Sequence, residues 1–569
     1  MERIRKLYIQ FHKPMENIVY PVFLFLYPLV MIFQGLDVSD STYSLGNYLY
    51  FDRMEGMWVV STYLSNVIGW LLTLLPFGTT LIGMKLYTGL FISGLALLCY
   101  YRLKEHLSPL SAFVGEVIAI GFCWIPSTIL YNYISYFLFA LGLLLLYEGI
   151  IREQDKYYFI AGIVLGLNVF VRLPNVTEAI LIIGLWYAMW LRKEKWQKTM
   201  AKTGICLGGY IAGVLIPFVA VHIQYGPRAF LDMLSGLSSV TQVDDTYTPL
   251  SMITSVIDAY ARSFMWIAVI FVGILLGVAM FATYKEKYLV VKKIIYFGGI
   301  ALVLRFFWGR GMFTFRYYED YTSMFEWGMV GLYLSLIICI VIMVQSRFRM
   351  QEKVMAMMVF LVIVVTPLGS NNYTCQNLNN LFVVAPFVVH MYRIVFKSSK
   401  SVLAYPVKAF VAIIAGAILI QTIGFHTNFI FRDGMDGQKR NTAVEGSLTA
   451  DGTYTTKENA LSFQSLAAFC KEEGLTGEEM LCYGNAPGLT FLLKMPFAIS
   501  TSWPDLDSYA LSQLEEELAK REGKIPVIIV SNKQDVSEMA EKKRQYIMSY
   551  IAEKNYQTVF DNGMYCVYR

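Results

Sequence analysis

Apolar runs long enough to cross a bilayer fill the first three quarters of this chain, and no water-soluble fold of ordinary size buries so many of them. A hydrocarbon core about 30 Å thick needs roughly 20 apolar residues per helix. Stretches of that kind lie at 18–34, 80–101, 109–126, 131–151, 157–172, 177–191, 203–224, 263–283, 293–308, 324–345, 354–368, 381–396 and 403–424. They predict an α-helical polytopic membrane protein with about 13 transmembrane helices. Composition agrees, since only 16% of residues are charged, where soluble chains approach about a quarter. The segment before residue 18 is too polar and too long for a cleaved signal, so the first run is expected to remain as an anchor.

Charge decides the orientation. One set of loops carries Arg3, Arg5, Lys6 and Lys13; Arg102 and Lys104; Arg152 and Lys156; Arg192, Lys193, Lys195, Lys198 and Lys202; Lys285, Lys287, Lys292 and Lys293; Arg347, Arg349 and Lys353; and Arg393, Lys397 and Lys400. The alternate set has only Arg53, Arg172, Arg228, Arg262, Arg310 and Arg316. Short basic loops stay in the cytoplasm. The expectation is therefore a multi-pass protein of the plasma membrane with a cytoplasmic N-terminus and an extracytoplasmic C-terminal part. Residues 57–76 are apolar enough to count as a span, but counting them would invert every later loop. They are read instead as a helix lying at the outer interface. The polar outer loops at 35–79, 225–262, 306–323 and 369–380 then make the external face the working face.

The transmembrane domain is expected over 1–425, a linker over 426–457 and a soluble α/β domain over 458–569. In the last, helices near 458–474, 487–494, 506–522 and 536–554 alternate with strands at 479–483 and 527–530 and a hairpin at 556–568, a three-layer pattern. Its turn Tyr483-Gly484-Asn485-Ala486-Pro487-Gly488 lacks the spacing of a phosphate-cradling glycine loop, and no nucleic-acid partner is expected. A disulfide among Cys470, Cys482 and Cys566 is one option for an oxidising compartment. His222, His390 and His426 are scattered, and nothing resembles a His-based metal site.

Chemistry-bearing residues concentrate in the outer loops. Asp37 and Asp40, in Leu36-Asp37-Val38-Ser39-Asp40, follow the first span directly. Asp40 can cap a helix that it opens, or one aspartate can take a proton from an acceptor hydroxyl while the other positions it or holds a metal. Arg172, Arg305, Arg310 and Arg316 stand near an outer boundary otherwise poor in cations. They either snorkel to headgroups or bind an anion. Asp244, Asp245, Glu319 and Asp320 are partners for those arginines or a solvated loop face. The amide-rich stretch with Asn371, Asn372 and Gln376, together with Tyr131 and Asn132, suits hydrogen bonding to sugar hydroxyls or the building of turns.

An acidic first outer loop, the interfacial segment ending Leu75-Pro76-Phe77-Gly78, the glycine-rich span ending Val171-Arg172-Leu173-Pro174-Asn175 and an external α/β domain together resemble the GT-C fold of membrane glycosyltransferases. The likeness is to the branch of protein mannosyltransferases and the aminoarabinose transferase of lipid A. No strict WWDYG-type motif of oligosaccharyltransferases is present, which argues against that branch. The resemblance implies an inverting glycosyltransferase that moves a sugar from a polyprenyl-phosphate donor to an extracytoplasmic acceptor, a cell-envelope glycan, lipid or protein. It implies Asp37 or Asp40 as base and Arg172, Arg305, Arg310 and Arg316 on the donor phosphate, and it leaves a divalent metal open. Rival readings are a transporter or flippase of a lipid-linked saccharide, or a surface-polysaccharide polymerase or ligase. A flippase predicts ionisable residues near mid-bilayer, whereas Glu116, Glu148 and Glu178 are read as lying toward span ends.

Overall fold

The computed structural model describes every residue except 1–11, 55, 124–127, 130, 244–247, 284–286, 317–320, 370–371, 400, 435–437, 508, 522 and 533–536. Each of the thirteen apolar stretches contains a helix. Among the described residues, seven helices are long and apolar enough to cross a membrane unaided: Leu81–Leu103, Tyr131–Arg152, Leu173–Leu191, Trp196–Tyr225, Leu250–Ala282, Thr322–Val344 and Val402–His426. Others are shorter. Pro109–Phe122 and Asp155–Asn168 have 14 residues each, about 21 Å of helix at 1.5 Å per residue. Residues 57–76 do not form a span. They break into Gly56–Ser61 and Tyr63–Thr73, and Trp70, Leu71, Leu74, Leu75 and Phe77 remain exposed along one rim. An apolar rim on short helices fits the expected interfacial position.

Among the described residues, the basic loops near 102–108, 152–156, 192–202 and 393 meet one another at one end of the bundle. At the basic end, Arg152 pairs with Glu105, Arg192 pairs with Glu153, and Arg393 donates to Ser108. At the other end, the segment 33–54 packs beneath the C-terminal region. Helix Asp155–Asn168 is seated on Trp196–Tyr225 through glycine. A Cβ at Gly162 or Gly166 would lie 2.1 or 2.2 Å from the backbone oxygen of Cys206 or Tyr210, and one at Gly209 or Gly213 would meet Phe159 or Ile163 oxygen just as closely. Small residues let two backbones approach where lipid offers no hydrophobic drive for association. That contact sets the position of the helix end that carries Asn168, four residues before Arg172.

The C-terminal domain matches the expected alternation. Strands β1 (Thr442–Ala443) and β2 (Tyr454–Thr455) form a short antiparallel ladder within 426–457. Strands β3 (Met480–Tyr483), β4 (Val527–Ser531), β5 (Thr558–Asp561) and β6 (Tyr565–Tyr568) form a sheet of order β3-β4-β6-β5, with β3 and β4 parallel. Alternation assigns its faces. Met480, Cys482, Val527, Ile529, Tyr565 and Val567 pack with Phe463 and Leu466 of helix Lys457–Glu472. Leu481, Tyr483, Ile528 and Val530 pack with Leu514, Leu518 and Ile547 on the opposite side. The first of these cores also takes in Leu36, Val38, Leu45, Tyr48, Leu81 and Met84. The domain therefore shares its interior with the first loop. Backbone bonds reinforce the junction, from Tyr454 N to Phe33 O at 2.7 Å, Gly35 N to Tyr454 O at 2.8 Å and Gly488 N to Val38 O at 2.8 Å. All eight cysteines are free thiols, so the disulfide option is not realised.

Candidate active site

The two aspartates of the first loop have different surroundings. Asp40 opens helix Asp40–Leu49, as a capping residue would, but the cap comes from Asp37. One Asp37 oxygen accepts from Ser39 N at 2.8 Å and Ser39 Oγ at 2.5 Å, and the other accepts from Ser41 N at 2.8 Å. Its carboxylate is buried and occupied by three donors that fix the start of the helix. Asp40 is partly exposed, and its Oδ2 lies 3.0 Å from Arg432 Nη1. Lys85 reaches up from Leu81–Leu103 to donate to Gln34 O at 2.6 Å and to Gly35 O, beside Asp37 and Asp433.

Residues three and four apart share a helix face, so Asp40 presents with Tyr43 and Asn47. Tyr43 lies beside Asn47, Thr501 and Tyr131, and its ring centre is 5.3 Å from that of Trp503 in the C-terminal domain. Burial pushes the Tyr43 hydroxyl up to about 12, which keeps it a neutral donor at physiological pH. The Trp503 indole N–H and the Ser502 hydroxyl are buried with no partner among the described residues.

Tyr131 links this face to a small cavity. Arg172 lies 5.7 Å from the centre of the Tyr131 ring. Its guanidinium donates to Gln376 Oε1 at 3.0 Å and to Gly369 O. Gly369 has φ +79°, and a Cβ there would lie 2.1 Å from Pro174, so this approach requires glycine. Asn132, Arg172 and Gln376 line the cavity together with Ser135, Asn175 and Glu178. Glu178 accepts from Asn168 Nδ2 at 2.7 Å, and Asn175 donates to Ser135 Oγ at 2.7 Å. Among the described residues, Asn132 Oδ1, Tyr136 OH and Asn168 Oδ1 are buried without partners. Buried polar atoms are nearly always paired, so this cluster calls for an ordered water, an ion or a ligand.

The arrangement brings together Tyr131, Asn132, Arg172 and Gln376 of the residues singled out from sequence. It does not bring Arg305, Arg310 or Arg316 to them. All three are exposed, Arg310 lies over the Phe306 ring at 5.4 Å, and none is among the described residues that line the cavity. Helix Leu289–Gly309, which holds Arg305 and ends just before Arg310, packs through Phe307 against Trp266 and Trp327. Asn372 is described but does not line the cavity. Asp244, Asp245, Glu319, Asp320 and Asn371 lie outside the described residues. Sequence reasoning missed Asn168, Asn175 and Glu178. Their signal was present, because polar residues at 168, 172, 175 and 178 recur every three or four positions along an otherwise apolar stretch.

Two expectations about ionisable groups need correction. Glu116 is not near a span end; it sits in the middle of Pro109–Phe122, fully buried, with both oxygens unpaired among the described residues. A group of one histidine and two glutamates with metal-ligand spacing also exists. Glu105, His106 and Glu148 place ligand atoms within 4.8 Å of one another at the basic end of the bundle. His106 Nε2 lies 3.1 Å from Glu148, and Arg152 bridges Glu148 and Glu105. The arginine supplies the positive charge that a cation would bring.

No protein-family model matches the sequence, and no curated protein does. Among solved structures, the chain is similar to the oligosaccharyltransferase of Archaeoglobus fulgidus, crystallised with zinc and sulfate. The match has a TM-score of 0.46 and 12% sequence identity, and it covers 90% of this chain and 68% of that one.

Proposed function

We propose that this protein is a GT-C-type membrane glycosyltransferase that moves a sugar from a polyprenyl-phosphate carrier to an acceptor on the side of the membrane bearing the C-terminal domain. The observation that carries this reading is the cavity at Arg172, where a cation, several amides and unpaired buried polar atoms converge, linked through Tyr131 to Tyr43 of the acidic first loop. A fixed guanidinium suits a phosphate leaving group, because its charge is already in place when negative charge develops. Amide and hydroxyl groups suit sugar hydroxyls. The segregation of basic loops to the opposite end supports an extracytoplasmic location for the site.

In this reading Asp40 takes the proton from the acceptor hydroxyl. The acceptor oxygen then forms a bond to the anomeric carbon, and the bond from that carbon to the phosphate oxygen breaks with its electrons passing to the phosphate. Attack opposite the leaving group inverts the anomeric centre. Arg172 holds the phosphate charge, and Asn132 and Gln376 orient the substrate. Asp37 has a structural part, since three protein donors already hold its carboxylate. The first-loop aspartates do not form a metal cage, because an arginine and backbone amides occupy them. No step here is routed through a metal.

A second reading, movement of a lipid-linked saccharide across the bilayer, draws on the buried and unpaired Glu116. Reconstituted vesicles separate the two. Transfer of labelled sugar that is lost in Asp40→Asn supports the enzyme, whereas lipid movement without transfer in any donor tested would replace it with the flippase.

A further inference from the structure

The linker after the last span returns to the first loop and grips it at two adjacent residues. Asp433 is fully buried. It accepts from Leu36 N at 3.0 Å, from Thr455 Oγ1 at 2.6 Å and from Asn459 Nδ2 at 2.8 Å. Arg440 Nε donates to its carbonyl at 2.5 Å. One carboxylate thus ties the first loop, strand β2 and helix Lys457–Glu472 into a single joint. The preceding residue, Arg432, adopts φ +48°, and the following Gly434 has φ +83°. A Cβ at Gly434 would lie 2.4 Å from Thr456 Cγ2. A non-glycine residue in the left-handed region costs free energy and persists only where its surroundings over-determine it.

The consequence of that turn is where Arg432 points. With Asp433 locked into the joint, Arg432 extends to Asp40, with Nη1 at 3.0 Å from Oδ2. Its guanidinium also lies 5.4 Å from the Phe431 ring centre. An exposed ion pair between flexible chains contributes little to stability, so a strained backbone that delivers this pair calls for another explanation. We propose that Arg432 is a positioning residue for Asp40, which places a group from the linker to the C-terminal domain in control of the base. This rests on the reading of Asp40 as the base. Arg432 holds the carboxylate in one rotamer facing the acceptor. The C-terminal domain then matters to catalysis through the joint at Asp433 as well as through Tyr43 and Trp503.

The test uses the full-length protein in vesicles with a labelled polyprenyl-phosphate sugar, in four forms: wild type, Arg432→Gln, Arg432→Lys and Asp40→Asn. Arg432→Gln should lower kcat about tenfold with KM little changed, as expected when a reacting group loses its orientation. It should leave the melting temperature and elution volume unaltered, because the Asp433 joint is intact. Arg432→Lys should recover most of the rate. Arg432→Gln with activity within twofold of wild type while Asp40→Asn is inactive would overturn the proposal and leave the enzyme reading standing. A loss in Arg432→Gln that Arg432→Lys does not relieve would also overturn it. Full activity in Asp40→Asn would instead remove the assignment of the base.

Discussion

Helix Tyr131–Arg152 carries a polar cluster at each end, and the two are built on opposite principles. At its C-terminal end every charge is answered. Glu148 meets His106 with one oxygen and Arg152 with the other, and Arg152 meets Glu105 as well. At its N-terminal end Asn132 and Tyr136 keep buried polar atoms without partners, next to an arginine fixed by Gln376 and Gly369. A closed network of charges holds loops together. An open one leaves hydrogen-bonding capacity for a ligand and bears the desolvation cost until that ligand arrives. The candidate metal ligands thus sit at the structural end, and the candidate substrate groups at the chemical end.

The contrast can be broken most sharply at Arg172. Arg172→Ala should lower sugar transfer by about a hundred- to a thousandfold, with Arg172→Lys recovering only part because it lacks the planar fork. Rates in vesicles would check both. Gly166→Leu should act on the scaffold instead, since the added side chain would drive into the Tyr210 carbonyl. A destabilisation of about 3 kcal/mol or more is expected, read as a lower melting temperature with loss of activity in proportion to unfolding. At the closed end, Glu148→Ala should destabilise by about 1–2 kcal/mol while transfer per folded molecule stays within about twofold. An equal loss of transfer there would erase the distinction between the two ends.

A smaller effect concerns the loop that carries Trp503. Lys543 is buried and donates to Pro504 O at 3.0 Å and Leu506 O at 2.7 Å. Burial lowers its ammonium from the ordinary 10.5 to about 8, opposed in part by Asp505 and Asp507. Between those values the unfolded chain binds the proton more tightly than the folded domain, so stability rises as pH climbs from about 8 toward 10.5. That pH dependence of the melting temperature should vanish in Lys543→Met. The smallest change is expected for Glu116→Gln, which should leave transfer intact. Abolished lipid movement in that variant would favour the flippase.

Most of the fold was legible in the sequence because hydrophobic length and period are local properties. The order of C-terminal elements and the non-spanning character of 57–76 follow from runs of apolar residues and from charge, whereas helix ends do not: Pro249–Ala282 begins fourteen residues before the apolar run at 263, and Arg228–Val243 lies inside the expected loop 225–262. Partnerships across the chain were not legible. Asp37 and Asp40 exchange the parts that local spacing suggests, because the cap depends on a turn through Val38 and Ser39, and the partner of Asp40 lies almost four hundred residues away. Arg305, Arg310 and Arg316 stand close together in sequence, but sequence proximity does not specify which way Leu289–Gly309 and the segment after it face. Arg172 falls just beyond a glycine-rich helix, Asp155–Asn168, whose packing the sequence pattern of small residues suggested.

The account turns on whether the open end of the bundle performs glycosyl transfer. The most direct measurement follows labelled sugar from a panel of polyprenyl-phosphate donors in vesicles holding wild type, Arg172→Ala or Asp40→Asn protein. The account predicts transfer by wild type and loss of it in both variants, with folding unchanged. Transfer that persists in Arg172→Ala, or its absence from wild type across the panel, would contradict it.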